Sequence, residues 1–356
     1  RCVGADDLTL SLFENQYPVQ PMGVSYNSYL ILDEKIAVMD SVDARAADEW
    51  LAKLAHELDG RSPDYLVISH MEPDHSGSIL RLAEKYQEMK LVGNTKTFTM
   101  LRQFFGAKAP TDDRLLEVGE GETLPLGAHT LHFMLAPMVH WPEVMVAYEE
   151  TEKLLFSADA FGRFGALSRT AGAPWAPQAR RYYYNIVGKY GAQVQALLKK
   201  ASALEIKTVC PLHGPVLTGE ALGEALRLYD LWSRWQSESP DDILLAHASI
   251  HGNTARAAEL FKQKLEAKGA RVTLCDLTTT EVSYAVANAF YCGKLVLACS
   301  TYDGGLFPPM EEFLSHLQAK GFRDRSVGLM ENGSWAPAAA RLMRAKLEEM
   351  KDLRVC

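Results

Sequence analysis

The spacing of apolar and polar residues predicts a β-rich first part of the chain. Between residues 26 and 43, two short apolar runs flank an Asp-Glu-Lys turn, and the helical pattern ADEWLAKLAHEL follows them directly. Further apolar runs, DYLVIS, LHFMLAP, VMVAYEETEKLLFSADAF with its polar turn, and TVCPLHGP, are separated by helical stretches. This pattern is typical of a layered domain in which helices are interspersed among strands.

The pattern changes near SESPDD, residues 237 to 242. Beyond it, the apolar runs ILLAHAS, RVTLCDL, KLVLACS and SVGLMEN alternate strictly with helical patterns, which predicts a doubly wound parallel sheet. We therefore divide the chain into a first domain, residues 1–240, and a second domain, residues 241–356. Because the last pattern is the fourth helix, we expect the last strand and helix of such a domain to be absent.

Composition and charge exclude several classes of protein. The net charge of −8 and the scattered basic residues disfavour a nucleic-acid partner. No window approaches the roughly 20 apolar residues of a membrane span, so we expect a soluble, cytoplasmic protein that is not a membrane protein. The six cysteines form no CxxC pair and therefore provide no built-in four-cysteine iron site.

The stretch HMEPDHSGS, residues 70–78, contains four candidate metal ligands directly after an apolar strand: His70, Glu72, Asp74 and His75. Alternate positions of an extended backbone face the same way, whereas neighbours diverge, so Asp74 and His75 could serve two different ions. One loop could thus contribute to a binuclear site. The alternative is a polar surface turn that contains two histidines.

Three further candidates follow apolar runs in the same manner: His140, Asp159 and His213. A single histidine after a strand is more often a hydrogen-bonding residue than a ligand. The shared placement of all three favours ligation, because loops that follow strands converge at one rim of a sheet sandwich.

The motif H-x-E-x-D-H, followed by separated His, Asp and His, resembles the flavodiiron proteins, which are iron-binding relatives of the metallo-β-lactamase fold. The resemblance implies an αββα sandwich for the first domain and a flavodoxin-like second domain. One iron would be bound by His70, Glu72 and His140. The other would be bound by Asp74, His75 and His213, although some members leave the histidine equivalent to His75 unligated. Asp159 would bridge the two irons.

Glu72 supports iron on independent physical grounds. Hydrolases of this fold have histidine at this place and bind zinc, which accepts imidazole readily. Glu72, Asp74 and Asp159, with one hydroxide, would cancel the four positive charges of two divalent ions, which suits oxidisable iron. Two alternative functions are a zinc hydrolase fused to a flavodoxin domain, and a flavin electron carrier with a vestigial metal site.

The second domain contains three loops with the outline of a flavin site. In ASIHGNTARAAEL, hydroxyl and backbone N–H groups at a helix start could bind a phosphate without a basic side chain, although an ordinary capped helix is the alternative. STYDGGLFPPM and ENGSWAP follow the third and fourth strands, and ligands bind at that edge of an open sheet. The loops resemble those of flavodoxin, and the absence of GxGxxG disfavours a dinucleotide, so we expect FMN. The candidate flavin residues are Ser249, His251, Gly252, Asn253, Thr254, Ser300, Thr301, Tyr302, Asp303, Gly304, Gly305, Asn332, Gly333, Ser334 and Trp335.

The resemblance implies reduction of dioxygen to water, of nitric oxide to nitrous oxide, or of both, with FMN passing electrons to two irons. It also implies an external electron donor, either rubredoxin or, in archaeal relatives, deazaflavin. A head-to-tail homodimer, or a dimer of such dimers, would set one subunit's FMN beside the other's irons. In RRYYYN we expect one of Tyr182, Tyr183 and Tyr184 to donate a hydrogen bond at the irons, with core packing as the alternative.

Overall fold

The computed structural model describes residues 1–356 and contains two compact units. The first comprises Arg1–Tyr182 and Ala192–Arg227, and the second comprises Tyr183–Gly191 and Leu228–Cys356. The second unit therefore begins ahead of the predicted boundary at residue 240 and includes a short segment from earlier in the chain. None of the helices is long and apolar enough to span a bilayer.

The first unit contains fifteen strands, most of them short. In chain order they are β1 (Ala5–Asp7), β2 (Leu12–Phe13), β3 (Tyr17–Pro18), β4 (Val24–Tyr26), β5 (Tyr29–Ile31), β6 (Ala37–Met39), β7 (Tyr65–Val67), β8 (Lys90–Gly93), β9 (Leu115–Glu117), β10 (Thr123–Pro125), β11 (Thr130–Leu135), β12 (Met145–Glu149), β13 (Leu154–Phe156), β14 (Thr208–Cys210) and β15 (Leu217–Thr218).

Helices lie between these strands. They are α1 (Ala47–Leu58), α2 (Pro73–Ser76), α3 (Ile79–Lys85), α4 (Thr95–Phe105), α5 (Leu167–Thr170), α6 (Trp175–Tyr182) and α7 (Gly191–Ala201), followed by α8 (Gly219–Ser233), which begins in the first unit and ends in the second. Short 3-10 turns cover Ala44–Ala46, Gly106–Lys108, Asp112–Arg114 and Gly188–Tyr190, and a π-helical turn covers Tyr183–Val187. In α1 the buried Trp50, Leu54 and Leu58 recur every four residues, so that one face packs inward.

Two larger sheets form the core of the first unit. One has the strand order β5-β6-β7-β8-β9, and the other has the order β10-β11-β12-β13-β14-β15. A single buried cluster contains Met39 and Val67 from the first sheet together with Phe133, Met145 and Phe156 from the second. The two sheets therefore pack face to face, as the αββα sandwich requires.

Within each of the two sheets, parallel pairing brings the ends of neighbouring strands to one edge. β7 pairs in parallel with both β6 and β8, and β13 pairs in parallel with β14, where Phe156 is opposite Cys210. The loops that follow β7, β13 and β14 contain His70, Asp159 and His213. The fold thus places these predicted ligands at strand exits.

The second unit contains a five-stranded parallel sheet of order β17-β16-β18-β20-β21, with β19 paired to β18. Its strands are β16 (Ser239–Ala248), β17 (Val272–Asp276), β18 (Cys292–Tyr302), β19 (Gly305–Leu306), β20 (Ser326–Asn332) and β21 (Arg354–Val355), and its helices are α9 (Asn253–Glu266), α10 (Val282–Tyr291), α11 (Pro308–Ala319) and α12 (Ala339–Glu348). This is the doubly wound fold that the sequence predicts.

One expectation about the second unit needs correction. The sequence pattern suggested that the fifth strand is absent, but Arg354–Val355 forms a two-residue strand that pairs in parallel with Ser326 and Val327 of β20. The strand was missed because two residues are too few to show the alternation by which a strand is recognised.

Candidate functional site

The loop after β7 is held in place by a buried aspartate. Asp40 adopts a left-handed backbone conformation, and its Oδ1 accepts the backbone N–H groups of Ser69 (2.7 Å) and His70 (3.3 Å). Glu72 then occupies the N-cap position of α2, with Pro73 at the first helical position. The chain therefore turns sharply within six residues, which brings all four polar side chains of the loop into the same region.

Four side chains form the first ligand group: His70, Glu72, His140 and Asp159. The His140 Nε2 atom lies 3.0 Å from Glu72 Oε2 and 3.0 Å from Asp159 Oδ2. The His70 Nε2 atom lies 3.2 Å from Glu72 Oε2 and 3.4 Å from Asp159 Oδ2. Two imidazole nitrogens and two carboxylates thus face a common centre.

The second ligand group consists of Asp74, His75 and His213. The Nε2 atoms of the two histidines are 3.1 Å apart. Each also approaches Asp74 Oδ2, at 3.3 Å for His75 and 3.2 Å for His213. His75, whose ligation the sequence left open, is therefore oriented like the other members of the group.

Asp159 lies between the two groups. Its Oδ2 faces His70 and His140, whereas its Oδ1 lies 3.2 Å from His75 Nε2 and 3.6 Å from His213 Nε2. One carboxylate oxygen is directed at each group, which is the arrangement of a bridging ligand.

The donor set fits two cations. Donor atoms around a metal with bonds of about 2.1 Å lie roughly 3 to 3.4 Å apart, which is close to the distances in both groups. The Asp74 oxygens and Asp159 Oδ1 are buried and have no hydrogen-bond partner. Buried carboxylate oxygens without partners are costly, and bound cations would satisfy them. The fit rests on these donors alone.

The electrostatics of the cluster are strongly coupled. Burial alone would raise the pKa of Asp159, but the His75 imidazole and the neighbouring histidines hold that pKa well below its usual range. Burial alone would lower the pKa of His140, but hydrogen bonds to Asp159 and Glu72 raise it to about 9. The imidazoles and carboxylates stabilise each other's charged forms, and a divalent cation would take the place of the imidazolium protons.

A cavity of about 590 Å³ opens onto both ligand groups, because Glu72 and Asp74 belong to its wall. Its other lining residues are Leu10, Leu12, Phe13, Glu14, Asn15, Tyr26, Asp43, Arg45, Pro73 and Trp141. The Trp141 ring meets the His70 ring edge-on, with centroids 5.3 Å apart. A small molecule therefore has access to the carboxylates of both groups, beside an aromatic wall.

The second unit has a smaller cavity, of about 90 Å³, at the carboxyl edge of its sheet. It is lined by Ser249, Ile250, His251, Asn253, Thr254, Ser300, Thr301, Asn332, Gly333 and Ser334. The Thr254 hydroxyl is 2.7 Å from the Ser300 hydroxyl and accepts a hydrogen bond from Asn332 Nδ2 at 3.3 Å. The structure therefore brings the three predicted loops together.

The remaining candidate flavin residues belong to the same loops but do not line the cavity. Gly252 is the N-cap of α9, with a φ of 85° that favours glycine, and its N–H donates to Ser249 Oγ. Asp303 and Gly304 form the turn that joins β18 to β19. Tyr302 and Trp335 are exposed, at 44% and 82%. Neither aromatic lines the cavity, but both are accessible to a ligand bound at this edge.

Comparison with known proteins identifies the family. The family model described as ODP family beta lactamase matches residues 24–214, which include all seven predicted metal ligands. The chain belongs to this family.

Relatives of this ODP family protein resemble it along nearly its whole length. A rubredoxin-oxygen oxidoreductase from Megalodesulfovibrio gigas is 27% identical over 358 residues, which cover 98% of this chain and 87% of the relative. A nitric oxide reductase from Moorella thermoacetica is 27% identical over 358 residues, which cover 98% of this chain and 88% of the relative. The crystal structure of the flavodiiron protein from Giardia intestinalis superimposes with a TM-score of 0.90 at 26% identity, covering 99% of this chain and 89% of that one. The resemblance to flavodiiron proteins and the predicted fold are confirmed.

The three candidate tyrosines of this ODP family protein have different surroundings. The Tyr182 ring packs 5.5 Å from the His213 ring, so it borders the second ligand group. Tyr183 and Tyr184 belong to the π-helical turn and pack against aromatic rings of the second unit, Trp232 and Phe290 respectively. Of the three, Tyr182 is the one whose ring packs against a predicted ligand.

Sequence reasoning missed Glu143. Its Oε1 lies 2.7 Å from His70 Nδ1 and accepts the Met71 N–H at 2.8 Å, and the side chain is fully buried. The signal that could have revealed it is its position three residues after His140, in the same loop. An acidic residue close to a metal-binding histidine is a frequent partner of the second imidazole nitrogen.

Proposed function

We propose that this chain is a flavodiiron oxidoreductase that reduces dioxygen to water, nitric oxide to nitrous oxide, or both. The observation that carries the proposal is Asp159, which directs one oxygen at each of two groups of metal ligands. A binuclear centre of this kind, joined to a flavodoxin-like unit, combines a metal pair with an electron carrier. The names of the relatives point to the same chemistry.

The proposed metal is iron, with His70, Glu72 and His140 at the first position, Asp74, His75 and His213 at the second, and Asp159 between them. Three carboxylates in the set favour a hard, oxidisable ion over zinc. Two ferrous ions and a reduced flavin supply four electrons, which is the number that dioxygen requires, and two nitric oxide molecules require two.

The residues around the ligands would orient them and exclude water. The rings of Phe13 and Tyr26 both pack against the His213 ring, with centroid distances of 5.4 Å and 5.9 Å. Tyr182 contacts the same ring, and we propose that it is the tyrosine that serves the site. Rings packed in this way limit rotation of the imidazole, so that Nε2 would stay directed at a bound cation.

The proposed flavin is FMN, bound at the cavity of the second unit. The first backbone N–H groups of α9 follow Gly252, and they lie beside the hydroxyls of Ser249, Thr254 and Ser300. Free N–H groups and hydroxyls at a helix start favour a phosphate. Tyr302 and Trp335 are available to cover the isoalloxazine ring.

The decisive test follows metal content, flavin content and gas reduction in one preparation. We expect about two irons and one FMN per chain, and we expect the anaerobically reduced protein to consume dioxygen or to convert nitric oxide to nitrous oxide. About two zinc ions per chain, with hydrolysis of thioester or lactam substrates, would instead support the hydrolase alternative. Flavin reduction without consumption of either gas would support a simple electron carrier.

We further propose cytoplasmic localisation, an external donor such as rubredoxin, or deazaflavin as in archaeal relatives, and a head-to-tail homodimer or a dimer of such dimers. The dimer is testable by complementation. One chain with His213→Ala lacks a complete metal site, and another with Trp335→Ala and Thr254→Ala, whose FMN binding is weakened, is stripped of flavin before mixing. A mixed dimer regains activity only if the flavin of one subunit serves the irons of the other. An inactive mixed dimer, with both cofactors verified, contradicts the arrangement.

A further inference from the structure

The two ligand groups differ in the hydrogen-bond partners of the Nδ1 atoms of their histidines. In the first group, His70 Nδ1 is 2.7 Å from the buried carboxylate of Glu143. In the second group, His213 Nδ1 donates to the neutral backbone carbonyl of Ser25 at 2.7 Å, and His75 Nδ1 is buried without a hydrogen-bond partner. Only the first group, therefore, has an imidazole that is supported by a charged acceptor.

Glu143 is held in position by several independent contacts. Its Oε1 also accepts the N–H of Met71, and Asn94 Nδ2 donates to its backbone carbonyl at 2.6 Å. Asn94 is itself fixed, because its Oδ1 caps α4 by accepting the N–H groups of Lys96 and Thr97. The carboxylate is therefore aligned with His70 by the first turn of α4 and by the loop that contains the ligands.

We infer that Glu143 is a positioning residue that makes the first metal position the tighter of the two. By accepting the Nδ1 proton, it fixes the tautomer in which His70 Nε2 is the free donor, and its charge increases the basicity of that nitrogen. The inference rests on the proposed binuclear site. It adds that the two ions bind with unequal affinity and that a residue outside both ligand groups causes the inequality.

The test is a titration of the full-length, metal-free protein with Co²⁺ alone under anaerobic conditions, followed by visible absorption. The unmodified chain should bind two equivalents in two steps. Glu143→Ala should weaken the first step by about 10- to 100-fold, as loss of an outer-shell partner typically does, and leave the second step unchanged. Glu143→Gln keeps an oxygen that can accept from His70 and Met71 but removes the charge, so a smaller weakening is expected.

Glu149 provides a matched control. It is fully buried, and its carboxylate accepts the backbone N–H groups of Thr151 and Glu152, both at 2.7 Å, without touching a histidine. Glu149→Gln should therefore leave both binding steps unchanged. In a His70→Ala background, Glu143→Gln should have no further effect on either step, since its action passes through that imidazole.

The outcomes separate the inference from the proposed function. Failure of the unmodified chain to bind two equivalents overturns the binuclear site, and the inference with it. Two equivalents with unchanged affinity in Glu143→Ala, or equal weakening of both steps, overturns the inference alone. Near-ultraviolet circular dichroism shows whether Glu143→Ala folds. If it does not fold, the inference is tested by Glu143→Gln alone and by Glu143→Gln in the His70→Ala background.

Discussion

His75 and His213 direct their Nε2 atoms at each other across 3.1 Å. Both atoms also lie within 3.3 Å of the same Asp74 oxygen. Two imidazoles can share one proton across such a distance, but a shared cation satisfies both nitrogens and the carboxylate at once. The Nε2 atom of His75 is therefore as well placed for metal binding as that of His213.

From this relationship we expect His75→Ala to lower the metal content from about two ions per chain to about one. The second group would retain only Asp74, His213 and one oxygen of Asp159, whereas the first group keeps all its ligands. Metal analysis of protein purified under anaerobic conditions measures the change. His132→Ala is the control, because His132 is partly exposed and pairs with Glu150 away from both groups. Two ions per chain in His75→Ala would show that His75 is not a ligand.

Exchange of Glu72 for histidine should change the metal preference of the site. Glu72 Oε2 faces the nitrogens of both His70 and His140, so Glu72→His would create a three-imidazole set that suits zinc. We expect the ratio of bound iron to bound zinc to fall and gas reduction to be suppressed.

The preference is measured by expressing the protein in medium with equal concentrations of iron and zinc and determining the metal content of the purified protein. Glu72→Gln keeps the size of the side chain and removes its charge, so it should weaken binding of both metals without favouring zinc. An unchanged iron content and turnover rate in Glu72→His would refute the role assigned to Glu72.

The sequence predicted which side chains lie together, because strand exits are visible as apolar runs. His70, Asp159 and His213 each follow such a run. Parallel pairing of β13 with β14 brings the exits before Asp159 and His213 to one edge of their sheet, and the packing of the two sheets places the exit of β7 beside them. The meeting of the three loops of the second unit was predictable for the same reason. Local pattern and the packing of sheets were therefore sufficient to predict which side chains and loops lie together.

Other features depend on contacts between distant parts of the chain. Glu143 is aligned by Asn94, 49 positions earlier, and nothing in HWPE itself indicates which side chain its carboxylate meets. The separation of Tyr182 from Tyr183 and Tyr184 depends on the helical turn and on partners such as Trp232 and Phe290. Such arrangements follow from tertiary packing, which no local pattern records.

Removal of the metal should reverse the pH dependence of stability. In the protein from which a chelator has removed the metal (the chelated form), the carboxylates of Asp159 and Glu72 raise the pKa of His140 to about 9, against the opposing effect of burial. A raised pKa stabilises the folded state fully below the unfolded value of about 6.5, and that stabilisation is lost as the pH rises through the folded value. The free energy of unfolding of the metal-free protein should therefore fall between about pH 6.5 and pH 9.

The metal-loaded protein should respond in the opposite direction, since cations bind neutral imidazoles and are displaced as the pH falls. Urea denaturation of both forms at pH 6.5 and pH 9 measures the difference. The free energy of unfolding of the metal-loaded form should exceed that of the metal-free form by more at pH 9 than at pH 6.5. His140→Gln in the chelated form should reduce the slope, and a chelated protein that is equally stable at both pH values would contradict the expectation.

The cavity of the second unit predicts a preference for FMN over riboflavin. The two ligands differ only in the phosphate, which would meet the N–H groups at the start of α9 and the Thr254 hydroxyl. A hydrogen bond to a charged group contributes about 1.5 to 3 kcal/mol, so Thr254→Ala should weaken FMN binding roughly tenfold or more and leave riboflavin binding nearly unchanged.

Thr254→Ser retains the hydroxyl and should bind FMN normally. Trp335→Ala should weaken both ligands equally, because Trp335 would contact the ring rather than the phosphate. Quenching of flavin fluorescence on titration into flavin-free protein gives each affinity, and equal affinities for FMN and riboflavin in the unmodified chain would exclude a phosphate site at α9.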